Sequence, residues 1–332
     1  MARKNLLRNI IKSRISTKIA MGFVIFISIV AIFADFIASD LPILLKYDGK
    51  IYWFANITHP DELKYLDNIT LMRLMVKGQD WGIFPPVPYS HLQSRAGGEI
   101  EVLGAPSVRH IMGTDDRGRD ILARVVHGTR VSLGVGFAAV LLYIVIGVFL
   151  GCVAGYFGGW LDSIISRIVE TMMSFPTFFF ILTVQGLLQK SSILQMIIII
   201  ALTRWTDISR LVRAEVLKVK NENFVLSAKA MGFRNSRILF RHILPNSMGP
   251  VTVAAYLGIA GTILIEASLS FLGFGTPPPA ASWGEMLTQA YENPQCWWLM
   301  VLPGVALFGT VLSFNIIGEA LRDSVDPRLM YT

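Results

Sequence analysis

Six largely apolar runs recur along this 332-residue chain, at Ile19–Ala38, Val131–Tyr156, Ile164–Leu188, Ile193–Val212, Val251–Phe274 and Leu299–Ile317. A helix rises 1.5 Å per residue, so about twenty such residues cross a hydrocarbon layer of about 30 Å. Inside that layer a backbone must satisfy its own hydrogen bonds, which leaves helices as the economical solution. With 53% hydrophobic residues, the chain is too apolar for an ordinary soluble domain. The expectation is an all-α polytopic membrane protein with about six transmembrane helices. The fourth run is the weakest, because its apolar core stops at Thr203 and Arg204 with Asp207 must sit at the membrane edge as an i, i+3 pair. The first run has a basic flank like a signal peptide, but it exceeds an h-region and no A-x-A site follows, so it reads as an uncleaved anchor.

Charge distribution orients these runs. Residues 1–18 hold six basic side chains and no acid, and Arg204 to Arg241 carries nine Lys or Arg against Asp207, Glu215 and Glu222. Ser39 to Arg130 carries eleven of each sign. The positive-inside bias therefore puts the first two regions in the cytoplasm and the third outside. The layout expected is a basic cytoplasmic tail at 1–18, a first helix at 19–38 and an external segment with an interfacial helix at 39–130. A transmembrane core at 131–320 then includes a cytoplasmic loop at 213–245, and a cytoplasmic tail occupies 321–332. This topology explains the basic residues, so nucleic acid is not an expected partner, whereas membrane lipid is. Cys152 and Cys296 suggest no disulfide framework.

The loop "FVLSAKAMGFRNSRILFRHILPN", Phe224 to Asn246, is the strongest functional signal. Asn223 can cap a helix over Phe224 to Met231, and Gly232 suits the left-handed position that ends one. Ser227, Ala228 and Ala230 keep that rod slim, so a partner's groove could approach its backbone. Pro245 is expected to begin the next helix and close the loop sharply. A helix this short is marginal alone and needs support from whatever it docks against.

These residues resemble the cytoplasmic coupling loop of ABC importer permeases, whose pattern is E-A-A, three residues, G, nine residues, I-x-L-P. Ala228, Gly232, Leu244 and Pro245 match it, while Leu226, Ser227 and His242 stand where the family has Glu, Ala and Ile. The ending "RHILPN" is similar to the dipeptide and oligopeptide branch. Upstream, "HIMGTDDRGRDILARVVHGTRVSLGVG" resembles the G-T-D-x-x-G-R-D signature of C-type peptide permeases, through Gly113, Thr114, Asp115, Gly118, Arg119 and Asp120. Asp120 can cap a helix with the apolar stripe Ile121, Leu122, Val125 and Val126, which reads as lying along the membrane surface, with Arg119, Arg124 and His127 pointing elsewhere. "GYFGGWLD", "SFP", "EASLSFLGFG" and "SWGEML" extend the resemblance from about His110 to the C-terminus. In the external segment, "ASDLPILLKYDGKIYWF" looks like Yej-type peptide permeases, a subfamily associated with microcin C uptake.

The resemblance implies the type I ABC importer permease fold in a bacterial inner membrane, with both termini cytoplasmic. It also implies a heterodimer with a sister permease, two ATPase subunits holding ATP and Mg, and an external solute-binding protein. Phe224, Ser227, Ala228, Ala230, Gly232, Leu244 and Pro245 are then the ATPase-coupling residues, and the substrate is a peptide or peptide-like compound. The chain itself has no G-x-x-x-x-G-K-[ST], G-x-S-x-G or H-E-x-x-H, so neither an enzyme nor a bound cofactor or metal is expected. Glu266, an acid within an apolar run, reads as a structural group or as a gating or pathway residue. Pro176 should kink the third run, and Arg167 with Glu170 should pair at its edge. An ion-coupled secondary transporter is the alternative, and it predicts two related halves with interrupted helices, which the sequence does not display.

Overall fold

A computed structural model of the chain describes residues 14–63, 68–77, 80–92, 101–188, 192–277 and 279–325. Residues 1–13 and 326–332, which hold most of the two expected cytoplasmic tails, lie outside that description. The fold is mostly helical. In chain order it comprises α1 (Ile15–Ile32), α2 (Ala34–Ile37), β1 (Leu44–Tyr47), β2 (Lys50–Trp53), α3 (Ala55–Thr58), α4 (Asn68–Lys77) and β3 (Trp81–Ile83). It continues with α5 (Ile121–Phe157), α6 (Gly159–Met173), α7 (Thr177–Leu187), α8 (Ile193–Val219), α9 (Asn223–Ala230), α10 (Asn235–Ile238), α11 (Leu244–Phe271), α12 (Trp283–Glu292) and α13 (Trp297–Val325).

Among the described residues, four helical stretches are long and apolar enough to cross a membrane: α1, α5, Asn235–Phe271 and most of α13. A fifth is counted if α6 and α7 form one broken span, since they meet at an angle of 82°. Six spans were expected, the third of them kinked at Pro176, and the differences have local causes. Pro176 has no N–H for the helical ladder, and with ψ at 116° it ends the α conformation outright instead of kinking one helix. In α8, the apolar start is followed by Arg204, Asp207, Arg210 and Arg213, so its composition falls short of a free-standing span. One side of α8 is buried in protein instead, at Met196, Ile200, Ala201, Ile208, Val212 and Val216, while Leu194, Ile198 and Leu202 stay exposed.

The chain divides into two compact units, the first being Met1–Gly22, Val135–Ile265 and Val311–Thr332, and the second Phe23–Gly134 and Glu266–Thr310. In the first unit, Gly147, Gly151 and Gly155 recur every four residues on α5 and face α8. A Cβ on Gly151 would stand 2.5 Å from the carbonyl oxygen of Ser209, and one on Gly155 would stand 2.9 Å from Cβ of Val216. The glycines thus let two helix backbones meet, as small residues at four-residue spacing do in membrane proteins.

The second unit contains a three-stranded antiparallel sheet in the order β2-β1-β3, within the segment for which only an interfacial helix was expected. Asp48 and Gly49 join β1 to β2 with φ of 49° and 74°, the left-handed pair that a two-residue hairpin requires. One sheet face closes over Leu41, Leu45, Ala55, Leu63 and Leu71. Asp120 does cap a helix, its Oδ1 accepting from the Ala123 N–H at 2.8 Å. That helix is α5 itself, however, so the expected surface helix and second span are one rod of 37 residues.

Candidate coupling site

The loop expected to meet a partner is held by three devices. At its start, extended Glu222 supplies the first carbonyl, accepting from Val225 at 2.9 Å and Leu226 at 3.1 Å, so Glu222 and not Asn223 is the N-cap and no side chain caps it. At its end, Gly232 takes φ of 71°, as expected. The Phe233 N–H then reaches back to the Ala228 carbonyl at 3.2 Å and the Gly232 N–H to Lys229 at 2.9 Å, the paired bonds of a Schellman motif. Phe233 packs beyond the cap, with the Arg237 guanidinium 4.3 Å from its ring centre and the His242 ring stacked at 6.1 Å.

Beneath α9 the support is Tyr156, at the end of α5. Its hydroxyl donates to Asn235 Oδ1 at 2.8 Å, its carbonyl accepts from Lys220 Nζ at 2.6 Å, and Lys229 Nζ lies 6.0 Å from its ring centre. Arg213 of α8 makes a forked pair with Asp162 of α6, its Nη2 2.7 Å from Oδ2. Together with the glycine stripe, these contacts join α9 to α5, α6 and α8.

Pro245 does not begin a helix. Asn235 to Phe271 is continuous, because the turn Leu239–Ile243 widens into a π-helix in which the Leu244 N–H bonds to the Leu239 carbonyl. The wider turn absorbs the register change where Pro245 offers no donor. Leu244 is half-buried and Pro245 exposed, both just beyond that turn.

On α9 the side chains divide. Val225 and Ala228 are buried against the chain's own loop, so Ala228 is not part of an open slim surface. Phe224, Leu226, Ser227, Ala230 and Met231 are exposed. The expected open face therefore exists, but it is more apolar than a stripe of small residues. Ser227 donates its hydroxyl to the Asn223 carbonyl at 2.9 Å.

The other expected residues lie elsewhere. Glu266 is fully buried in the second unit, accepting from the Ser132 and Ser270 hydroxyls, each at 2.9 Å. Pro176 is exposed at the bend between α6 and α7. Arg167 pairs with Glu170 at 3.0 Å on an exposed face, as expected, while Arg204 and Asp207 approach to 3.9 Å.

A charge network in the second unit was not expected. Asp115 accepts from the backbone N–H groups of Arg117 and Arg119 at 2.9 and 2.8 Å, and from Arg119 Nε at 2.6 Å. Arg124 Nε lies 3.4 Å from Asp115 Oδ2, and its Nη2 donates to Glu285 of α12. His110 Nδ1 and Asp120 Oδ2 are 2.9 Å apart. Burial and the neighbouring Asp115 charge hold Asp116 above the ordinary carboxylate range. Arg119, Arg124 and His127 are all buried, not turned away from a membrane-surface helix. Trp283 donates its indole N–H to Val125 at 3.2 Å, and a Cβ on Gly284 would fall 2.3 Å from the Ala267 carbonyl. "GTDDRGRD", "EASLSFLGFG" and "SWGEML" thus meet in one frame. Only the resemblance singled out those motifs, and nothing local marks them as neighbours.

Residues 147–331 match the family of binding-protein-dependent transport system inner membrane components. The match takes in more than half of the chain, including α9, Glu266 and "SWGEML". The chain belongs to this family. It is 43% identical over 228 residues to the dipeptide transport system permease protein DppC of Alkalihalophilus pseudofirmus, covering 68% of this chain and 75% of the relative. It is 38% identical over 225 residues to the oligopeptide transport system permease protein OppC of Bacillus subtilis, covering 68% and 73%. It is also 40% identical over 228 residues to the glutathione transport system permease protein GsiD of Pectobacterium atrosepticum, covering 68% and 74%. As an inner membrane component of a transport system, the chain is not itself catalytic. The strands β1 to β3 and Asp115, Arg119 and Arg124 fall outside residues 147–331.

Proposed function

We propose that this permease forms half of the transmembrane pathway of an ATP-driven importer for peptides or peptide-like compounds. The observation that carries the coupling role is α9, an eight-residue helix with Phe224, Leu226 and Met231 in the open, Val225 and Ala228 buried on its other face, and Lys229 over the Tyr156 ring of α5. A partner ATPase subunit closing around bound ATP and Mg would push on that face. Because α9 is joined through Tyr156, the π turn and the glycine stripe, the push would reach long helices instead of dissipating in a loop. Packed interfaces of this kind switch between discrete arrangements, here from inward-open to outward-open.

The assembly proposed contains a sister permease, two ATPase subunits and an external solute-binding protein. Both termini would be cytoplasmic, with six crossings formed by the four long spans, the bent α6–α7 pair and the half-buried α8. The names of the three relatives support a peptide-class substrate. The Yej-type stretch in the external segment carries a microcin C-like compound as the finer proposal, by that likeness alone. Glu266, saturated by hydroxyl donors, is assigned to holding α11 in place, and Pro176 to shaping the α6–α7 bend.

Uptake by proteoliposomes containing the full complex tests the reading. Leu226→Asp should lower ATP-dependent peptide uptake by at least tenfold while the chain stays inserted. Uptake at the full rate without any ATPase subunit, driven by an ion gradient, would replace this reading with a secondary transporter.

A further inference from the structure

One face of the β2-β1-β3 sheet packs on the core, and the other is bare. The register puts Leu45 beside Tyr52 and Gly82 on the packed face. On the opposite face it aligns Leu44 with Trp53 and Ile83, and Lys46 with Ile51 and Trp81. Trp53, Ile51, Ile83 and Trp81 are 66%, 54%, 54% and 45% exposed. A sheet with one solvated face normally turns polar residues outward. Here five of the six outward positions are aromatic or aliphatic, which marks a contact surface.

The chain around the sheet indicates what that surface meets. On α1, a helix apolar enough to span a membrane, Ile25, Phe26, Ile29 and Ile32 are exposed and form its lipid-facing side. From the end of α1 a series of rings runs to the sheet: Phe33 lies 6.0 Å from Phe36, and Phe36 lies edge-on to Phe54, also at 6.0 Å. Phe54 directly follows Trp53. From Ile25 onward, the apolar exterior of α1 therefore continues through these rings to the bare sheet face, within one compact unit.

Polar groups locate the boundary. Arg130 donates to the last carbonyls of α1, to Ala31 at 2.9 Å and Ile32 at 3.2 Å, and pairs with Asp35 at 3.0 Å. An exposed guanidinium binding a helix end belongs at headgroup depth, not in hydrocarbon. Trp side chains favour that same layer, where an apolar body and one N–H donor are both accommodated. Lys46, between Ile51 and Trp81, can extend its amine to a lipid phosphate.

We propose that the Leu44–Trp53–Ile83 and Lys46–Ile51–Trp81 face rests in the interfacial layer of the leaflet at the C-terminal end of α1. The partner is a phospholipid surface, and the sheet is a monotopic anchor that lays the segment between α1 and α5 against the membrane. This reading does not depend on the transported substrate or on the ATPase contact.

The test uses the assembled importer in nanodiscs of phosphatidylethanolamine and phosphatidylglycerol, with Cys152 and Cys296 replaced by Ala. Single Trp53→Cys and Ile83→Cys variants carry an environment-sensitive fluorophore, and Glu62→Cys, at an exposed ion pair, serves as the aqueous control. Lipid bearing a nitroxide near the glycerol should quench positions 53 and 83 at least threefold more than position 62, and iodide should show the reverse order. Iodide quenching at 53 and 83 equal to that at 62 would overturn the proposal in favour of a free surface. Shielding from both quenchers would overturn it in favour of a protein neighbour within the complex. Shielding that arises only after solute-binding protein is added would overturn it in favour of a docking face for that protein.

Discussion

The α9 loop leaves Phe224, Leu226 and Met231 in the open, whereas the network around Arg124 hides Asp115, Arg119 and Arg124 and gives each a partner. Large apolar groups in the open are incomplete until something covers them. Buried charges with partners are already complete, and disturbing one strands the others. The two regions therefore teach opposite expectations: substitutions on the face of α9 should spare the fold and stop function, and substitutions in the charge network should destroy the fold first.

The largest effect expected on stability follows from Asp115→Ala, which leaves Arg119 and Arg124 buried without their shared carboxylate. Loss of one partner of a buried pair costs about 3–5 kcal/mol, so the variant should melt far below the parent in detergent or fail to accumulate in the membrane. Replacing Arg124 by Met and Glu285 by Leu together should recover part of that loss, and no recovery would argue against a paired network. Next comes Gly151→Val, whose side chain would meet the Ser209 carbonyl. Overpacking of this kind costs about 1–3 kcal/mol and should push α5 from α8. A smaller cost, about 1–2 kcal/mol, attends Gly232→Val, because nothing crowds the site and the penalty comes from its left-handed backbone alone. Gly232→Asn, which tolerates that backbone, should retain most of the transport that Gly232→Val loses.

A pH effect is the smallest and belongs to the second unit. Burial and the stacked His127 ring, 3.6 Å away, depress His91 to about 3. Between the unfolded value near 6.5 and about 3, the unfolded chain therefore binds a proton that the folded chain refuses. The contribution of His91 is complete above pH about 6.5 and declines as pH falls below it. Thermal melts from pH 7 to 5 should show a drop that His91→Gln reduces, and equal slopes in parent and variant would exclude His91 as the cause.

What the sequence revealed depended on distance along the chain. The end of α9 was legible because its stop signal is one residue, Gly232, whose backbone freedom is local. The start moved by one residue because extended Glu222, not the Asn223 side chain, presents the first acceptor. Pro245 misled, since a helix that widens into a π turn accepts a proline where an α ladder would not. The Asp48–Gly49 hairpin had a local signal, but its strands are too short for alternation to stand out. Arg124 was misplaced as pointing away from a membrane-surface helix: its partner Glu285 lies 161 residues away, and only packing brings them together. The same limit hid why α8 stays helical despite its charges, because the glycines that receive it belong to α5.

Ser227 offers the most direct measurement, since it is exposed on α9 while its buried neighbours hold the helix in place. A Ser227→Cys variant, with Cys152 and Cys296 replaced by Ala, should react quickly with a maleimide from the cytoplasmic side when the permease pair is alone. After assembly with the ATPase subunits it should be protected and should cross-link to them with a short bifunctional reagent, at a yield that changes when ATP and Mg are added. Equal labelling with and without the ATPase subunits, or labelling only from the external side, would contradict the account.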